Sequence, residues 1–327
     1  MNRELGIDLG ASSTFIYLKG KGIVLREPSV VALEANTFKL VAAGTEANLI
    51  RGKLPGSVSI VQPVSDEIND YTTTVELLTN LFKKMKKYGI SVNKPSVLCS
   101  ISCGADENRR ASLEDAFLQA GCKKIKLIAI PYVAAIGAKL DIDSDTPCMI
   151  VDIGGGTSEI AVLKNSNIIN AVSINVAGKM FSNALISYIR HKHSIYVSGR
   201  TIELLKKTYG TVNEKHNRGN AVVHGRHYST GLPATVEISS PEIRCILSKQ
   251  IAKIAEQILM TLDEIEGSCV ESIQKNGITI SGGSAMLDGI DMLLSEYTGI
   301  EVKCASSPLD CVADGLGFLI DNELVKI

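Results

Sequence analysis

The sequence predicts an α/β protein of two similar domains facing each other across a ligand-binding cleft. Three observations predict it. From Pro147 to Leu163 an apolar strand, Cys148 to Val151, runs into Asp152, the glycines Gly154, Gly155 and Gly156, Thr157, and a second apolar strand from Ile160 to Leu163. The same order opens the chain: Leu5, Gly6 and Ile7, then Asp8, then Gly10, Ala11, Ser12, Ser13 and Thr14, then a strand through Leu18. Two strand-acid-glycine-strand hairpins half a chain apart read as an internal repeat. After the first hairpin, strand and helix patterns alternate, which indicates a mixed sheet. The 327 residues are too many for one ordinary core. They divide at the acidic, turn-rich Asp141–Pro147 into 1–146 and 147–327, with small subdomains at about 30–66 and 179–240.

The hairpins carry a chemical expectation. Three glycines let backbone N–H groups close on an anion without side chains in the way. An acid at the mouth of such a turn repels phosphate, so Asp8 and Asp152 make sense as outer holders of a hydrated Mg²⁺. A glycine hairpin alone is more often a plain turn. A third element adds to the pair: Ile278 to Ile280 lead into Ser281, Gly282, Gly283 and Ser284, then Met286, Leu287, Ile290, Leu293 and Leu294 at helical spacing. Strand, double glycine and helix start suit a nucleoside, because backbone can approach it closely.

These three elements resemble those of the actin, DnaK-chaperone and sugar-kinase ATPases. Longer strings make the chain similar to the MreB family of bacterial actin-like cell-shape proteins: KGKGIVLREPSVVAL (Lys19–Leu33), VDIGGGTSEIAVL (Val151–Leu163), TGLPATVEISS (Thr230–Ser240) and LLSEYTGIEV (Leu293–Val302). The resemblance implies an actin-like ATPase fold of two RNase H-like domains, each with a small subdomain. ATP or ADP with Mg²⁺ would sit between them. Phosphate contacts would fall on Gly10, Ala11, Ser12, Ser13, Gly154, Gly155, Gly156 and Thr157. The nucleoside would meet Gly178, Glu203, Lys206, Gly282, Gly283, Ser284 and Met286. Glu203 and Lys206 also read as an ordinary i,i+3 surface pair. The implied function is a cytoskeletal filament of paired protofilaments governing cell shape.

The chain departs from the family at informative places. Ala129 and Ile130 stand before Pro131 where family members carry two glutamates, one of which helps activate the attacking water. A positioned acid or base contributes about 10²- to 10⁴-fold, so hydrolysis is expected to be slow, with Thr157 the remaining catalytic candidate. Ala11 replaces a usual Thr, and Lys179 and Ser182 stand where acids are common. The combination suggests a divergent paralogue, serving helical shape or swimming by analogy, with other cytoskeletal paralogues as further partners.

Composition fits and excludes. Hydrophobic residues make up 45%, and the net charge of −1 gives no global attraction to nucleic acid or anionic membrane. Asp8 interrupts any secretory leader and no apolar run has transmembrane length, so the expectation is a cytoplasmic protein, at most peripheral on the inner membrane face. Met1–Glu4 offers no amphipathic anchor and Val92–Asn93 is a poor insertion loop. That leaves the lysines at 83, 84, 86 and 87, which suit either a helix C-terminus or weak electrostatic contact with membrane or polymer. The eight cysteines read as reduced thiols, and His191 and His193 as surface residues.

In chain order, a third strand is expected at Ile23–Arg26 and a β-leaning segment at Pro28–Pro63. A helix follows, started by a Thr73/Glu76 capping box and stopped by Gly89. Further expectations are a strand at Val97–Ile101, a helix from Asp106 with Ala111, Leu113, Ala116 and Phe117 inward, a strand at Lys126–Ile130, and a helix from Pro131. The second half adds helices after Gly178 and over Thr201–Lys206, a polar loop at Thr211–Asn220 and strands at Ala221–His224 and Thr235–Ile238. A long helix capped by Ser240, with Pro241 first, completes it. Competing functions are a small-molecule kinase, which lacks a base facing a substrate pocket, a chaperone ATPase, for which no peptide-binding domain follows, and a filament-recruiting adaptor of the FtsA type.

Overall fold

The computed structural model describes residues 3–50, 58–64, 71–90 and 92–327. Residues 51–57 and 65–66 of the first expected subdomain, and Met1 and Asn2 of the opening stretch, lie outside them.

The repeat is one of topology as well as sequence. In the first half β1 (Glu4–Leu9), β2 (Ser13–Leu18) and β3 (Gly22–Pro28) form an antiparallel meander, and β7 (Ser96–Ile101) and β8 (Lys124–Ala129) add in parallel on the β1 side. The order is β3-β2-β1-β7-β8. The second half repeats it with β9 (Cys148–Ile153), β10 (Ser158–Lys164), β11 (Asn167–Ile174), β15 (Ile278–Ser281) and β16 (Val302–Cys304), ordered β11-β10-β9-β15-β16. In both, the acid closes the central strand of the sheet. Small three-stranded sheets accompany the halves: β5-β4-β6 (Leu40–Ala43, Val31–Glu34, Val58–Val61) and β12-β13-β14 (Ile195–Tyr196, Asn220–His227, Pro233–Ser239).

After the short α1 (Thr45–Ile50), helix α2 (Tyr71–Lys87) packs Leu77, Leu78, Leu81 and Met85 into the first core. It begins before Thr73, which is buried within it, so the expected capping box is not its start. Its end is as expected. Gly89 adopts φ +78°, and the Ile90 and Gly89 N–H groups reach back to Met85 and Lys86 carbonyls, a Schellman closure. Lys84 turns inward, donating to Glu27 Oε1 (3.1 Å) and the Ala43 carbonyl (3.2 Å), while Lys83, Lys86 and Lys87 stay exposed. α3 (Glu107–Gln119) starts at the Asp106 cap and buries Ala116 and Phe117, but Ala111 faces solvent. α7 (Ser240–Asp263), followed by α8 (Gly267–Asn276), buries Ile243, Leu247, Ile251, Ile254, Ile258 and Leu262. At about 1.5–3 kcal/mol per buried aliphatic side chain this one face anchors the second core. Its cap is Ser239, not Ser240: the Ser239 N–H donates to Glu242 Oε2 at 2.8 Å.

The halves share a third core. α4 (Ile130–Gly137) and α10 (Cys311–Asp321) cross between the sheets, packing Val133, Ala134, Leu316 and Ile320 with Leu98 of β7 and Ile150 and Ala161 of the second sheet. The crossing is close. A Cβ on Gly137 would lie 1.8 Å from the Cys311 carbonyl oxygen, and one on Gly315 would lie 1.9 Å from that of Val133. α10 is tied to the first sheet by Tyr17 Oη donating to Asp321 (2.7 Å) and a two-pronged Arg26–Asp310 pair (2.6 and 3.0 Å).

Candidate nucleotide cleft

A cleft of about 1420 Å³ lies between the halves, lined by Asp8, Gly10–Ser13, Asp152, Gly154–Thr157, Gly178, Glu203, Lys206, Gly282–Ser284 and Met286. The fold therefore gathers every binding and metal candidate read from the sequence onto one surface. Ile130 also lines it and Ala129 does not: Ala129 ends β8, paired with Ile101.

The hairpins are built alike. The Gly10 N–H donates to the Ser13 carbonyl (3.1 Å) and the Gly154 N–H to that of Thr157 (2.9 Å), each two residues after the acid. They touch: a Cβ on Gly155 would stand 2.1 Å from Ser12 Oγ, so only glycine lets the turns close on each other. Each acid is also held alike, by a serine on the neighbouring parallel strand. Ser100 Oγ donates to Asp8 Oδ1 and Ser281 Oγ to Asp152 Oδ1, both at 2.8 Å. These serines escape sequence reading because their role appears only when the β1/β7 and β9/β15 registers are known.

Charge fits a cation. Burial pushes the Asp8 carboxyl up to about 6 against the Ser100 hydrogen bond. Burial pushes Asp152 up to about 7 against that of Ser281, with the Asp8 and Glu159 charges adding. Two carboxyls whose ionisation burial opposes and a nearby cation would favour, each with one oxygen fixed by a serine, are a donor set suited to a hydrated divalent cation.

The third element differs in detail from expectation. Gly282 adopts φ +88°, where a Cβ would meet the Ile153 carbonyl at 2.4 Å, but a 3₁₀ turn (Gly283–Met286) follows, and α9 begins only at Ile290 (Ile290–Thr298). Two residues bind the turn to the second hairpin: Ser284 Oγ donates to the Gly154 carbonyl (2.7 Å), and Gly178 packs beneath it. Met286 is 63% exposed at the rim. Opposite stand α5 (Gly178–His193) and α6 (Gly199–Tyr209). Lys206 Nζ donates to the Gly178 carbonyl, Ser182 Oγ and Glu203 Oε1 at 2.9, 2.9 and 2.7 Å. Burial opposes ionisation of Glu203, and Lys206 outweighs it, holding the carboxyl below its usual range. Glu203 and Lys206 are thus part of the cleft wall, with Ser182 as their shared partner. The sequence also gave no sign of Asp288, which gathers Thr211 (2.6 Å), His216 (2.8 Å) and Arg218 (3.2 Å) at the same wall. Among the described residues lining the cleft, the acids are Asp8, Asp152, Glu203 and Asp288.

Outside the cleft, His191 is exposed, while His193 is half-buried with its ring edge-on to Tyr188. All eight cysteines are free thiols. Among the described residues no helix is long and apolar enough to cross a membrane.

Comparison with known proteins agrees with this architecture. The MreB/Mbl protein family profile matches residues 2–326. The cell shape-determining protein Mbl of Bacillus subtilis is 35% identical over 321 residues, 98% of this chain and 96% of that one. The cell shape-determining protein MreB of Escherichia coli is 34% identical over 97% of this chain and 92% of its own. The crystal structure of MreB 5 of Spiroplasma citri bound to AMPPNP superposes with a TM-score of 0.93 at 31% identity, covering 99% of this chain and 97% of that one. Two matched five-stranded sheets, paired acid–glycine hairpins and these relatives together identify the chain as an actin-like member of the MreB/Mbl family.

Proposed function

We propose that this protein binds ATP or ADP with Mg²⁺ in the cleft and polymerises into filaments of paired protofilaments that govern cell shape. The observation that carries the reading is the contact of the two hairpins, Gly155 against Ser12, with an acid behind each, Asp8 half-buried and Asp152 buried. Phosphates would lie between Gly10–Ser13 and Gly154–Thr157. The nucleoside would lie between the Gly178, Glu203 and Lys206 wall and the Gly282–Met286 turn. Asp8 and Asp152 would hold Mg²⁺ through water. The units are 1–146 and 147–327, with small subdomains at about 30–66 and 179–240, and α10 reaching back onto the first sheet.

Hydrolysis is slow in this reading, because Ile130 offers the attacking water no proton acceptor and Thr157 alone remains. Location is cytoplasmic. Membrane contact is peripheral and weak: Lys84 is taken up by Glu27, which leaves the exposed Lys83, Lys86 and Lys87 of the run to meet anionic lipid. Thermal unfolding tests the cleft. A ligand at about 100 times its Kd stabilises the native state by about 2.7 kcal/mol, so Mg-ATP should raise Tm in the parent and much less in Asp8→Ala or Asp152→Ala. Variants that respond like the parent would show that the nucleotide binds elsewhere.

A further inference from the structure

Glu159 is an acid in the middle of a buried strand, 1% exposed and outside the cleft lining. On β10 it stands directly opposite Asp152 of β9 and Ser173 of β11. Both its oxygens are engaged. Oε1 accepts from Ser173 Oγ at 2.8 Å, within its own sheet, and Oε2 accepts from the Cys103 backbone N–H at 2.9 Å. Cys103 belongs to the other half, in the loop that leaves β7 for α3. A second tie runs alongside, Ser102 Oγ to Ser173 Oγ at 3.0 Å. Gly104 closes the loop by donating to Ser102 Oγ at 3.2 Å, and a Cβ there would lie 3.0 Å from that of Ser173.

An apolar side chain would fill this space without desolvating a charge. A carboxylate satisfied by a serine of one half and a backbone amide of the other instead fixes a geometry, because hydrogen bonds have direction and packing has little. The loop it holds begins just beyond Ser100, which orients Asp8, and Ile101 and Ser102 line the cleft. Asp152 is its neighbour across the strand pair. Glu159 is therefore a polar link between the loop that follows β7, whose Ser100 holds Asp8, and β10, the strand paired with the one that carries Asp152.

We infer that Glu159 is a positioning residue for the nucleotide site: by fixing Ser102–Gly104 of one half against β10–β11 of the other, it sets the spacing of Asp8 and Asp152 across the cleft. This rests on the reading of the cleft as a Mg-nucleotide site. It predicts that cutting the tie weakens the contribution of Mg²⁺ more than the grip on the nucleotide itself, since both acids must face one hydrated ion.

The test compares the parent with Glu159→Ala and Glu159→Gln, the latter keeping an acceptor for Cys103 and a polar end for Ser173. Hydrogen exchange is measured over residues 101–105 without ligand, and AMPPNP affinity is measured with Mg²⁺ and with EDTA. A hydrogen bond to a charged group is worth roughly one order of magnitude in an equilibrium. In Glu159→Ala, exchange at Ser102–Gly104 should rise about tenfold, and the gain in affinity from Mg²⁺ should shrink about tenfold, with EDTA affinity within about threefold of the parent. Glu159→Gln should retain both properties. Unchanged exchange and an unchanged Mg²⁺ gain in Glu159→Ala overturn the inference, as does Glu159→Gln failing as badly as Ala. Should Glu159→Ala not fold, the double variant Ser102→Ala, Ser173→Ala takes its part. It removes the second tie and one partner of Glu159, and unchanged exchange there overturns the inference too. A parent that binds no AMPPNP defeats the cleft reading and this inference together; a parent that binds, with Glu159→Ala indistinguishable from it, defeats this inference alone.

Discussion

The nucleotide-free protein should lose stability as pH rises through the neutral range, contrary to the behaviour of proteins whose carboxylates are mostly salt-bridged. Asp8 and Asp152 have folded values of about 6 and about 7, raised by burial from 3.8. A group bound more tightly to its proton in the folded state stabilises the fold fully below its unfolded value, and that stabilisation disappears as pH rises through the folded value. From about pH 5 to about pH 7.5 the unfolded carboxyls stay ionised while the folded pair releases its protons. Applied to both groups, the linkage relation gives a loss of roughly 4 kcal/mol across that window as an upper figure. Glu242, held low by its hydrogen bonds to Lys192 and Tyr188, acts with the opposite sign, but only as pH falls below its unfolded value of 4.5, outside the window. The assay is urea unfolding at three pH values without nucleotide. Asp8→Asn with Asp152→Asn should flatten the slope and raise stability at about pH 7.5, and Mg-ATP should offset the loss in the parent. Stability that is constant or rises over the window in the parent would refute the argument, and so would an unchanged slope in the double variant.

Three further outcomes follow from the structure. Phosphate release under polymerising conditions should be slow in the parent and faster in Ile130→Glu, with Ala129→Glu adding little because Ala129 does not line the cleft; a parent already as fast as a family member carrying both glutamates removes the proposed defect. Glu27→Gln should destabilise the fold by about 3–5 kcal/mol in urea unfolding, because it removes the counter-charge of the nearly buried Lys84 and leaves it neutral acceptors such as the Ala43 carbonyl; a loss under about 1 kcal/mol would show that Lys84 reaches water. Gly315→Ala should cost about 1–3 kcal/mol or more by forcing α10 off the Val133 carbonyl, whereas Gly20→Ala, with open space at its Cβ but φ +70°, should lose only the smaller cost of a strained turn.

What the sequence made legible was local. Strand, acid and glycine run lie within a dozen residues of one another, so both hairpins and the Gly282–Gly283 turn could be found without the fold. What stayed hidden depended on pairing. Ser100, Ser281 and Glu159 are unremarkable strand residues until register sets them beside Asp8, Asp152 and Cys103. β11 carries no strand signal because Asn167 and Asn170 break its apolar pattern, which is tolerable only at a sheet edge. α10 carries only a weak helix signal because Gly315 and Gly317 lower helix propensity. Both are needed where the helix meets Val133 and Tyr17, so tertiary contact overrides the local signal. The lysine run at 83–87 has the same limit, since only the fold shows that Lys84 points at Glu27.

The most direct test of the central claim is sedimentation of the purified protein with and without Mg-ATP, beside Asp152→Ala. Pelleting in the parent should require Mg-ATP or Mg-AMPPNP, the two should serve equally because assembly needs binding rather than turnover, and Asp152→Ala should stay in the supernatant. A parent that remains soluble at every nucleotide condition, or that pellets to the same extent without nucleotide, would contradict the account of a filament assembled through its nucleotide cleft.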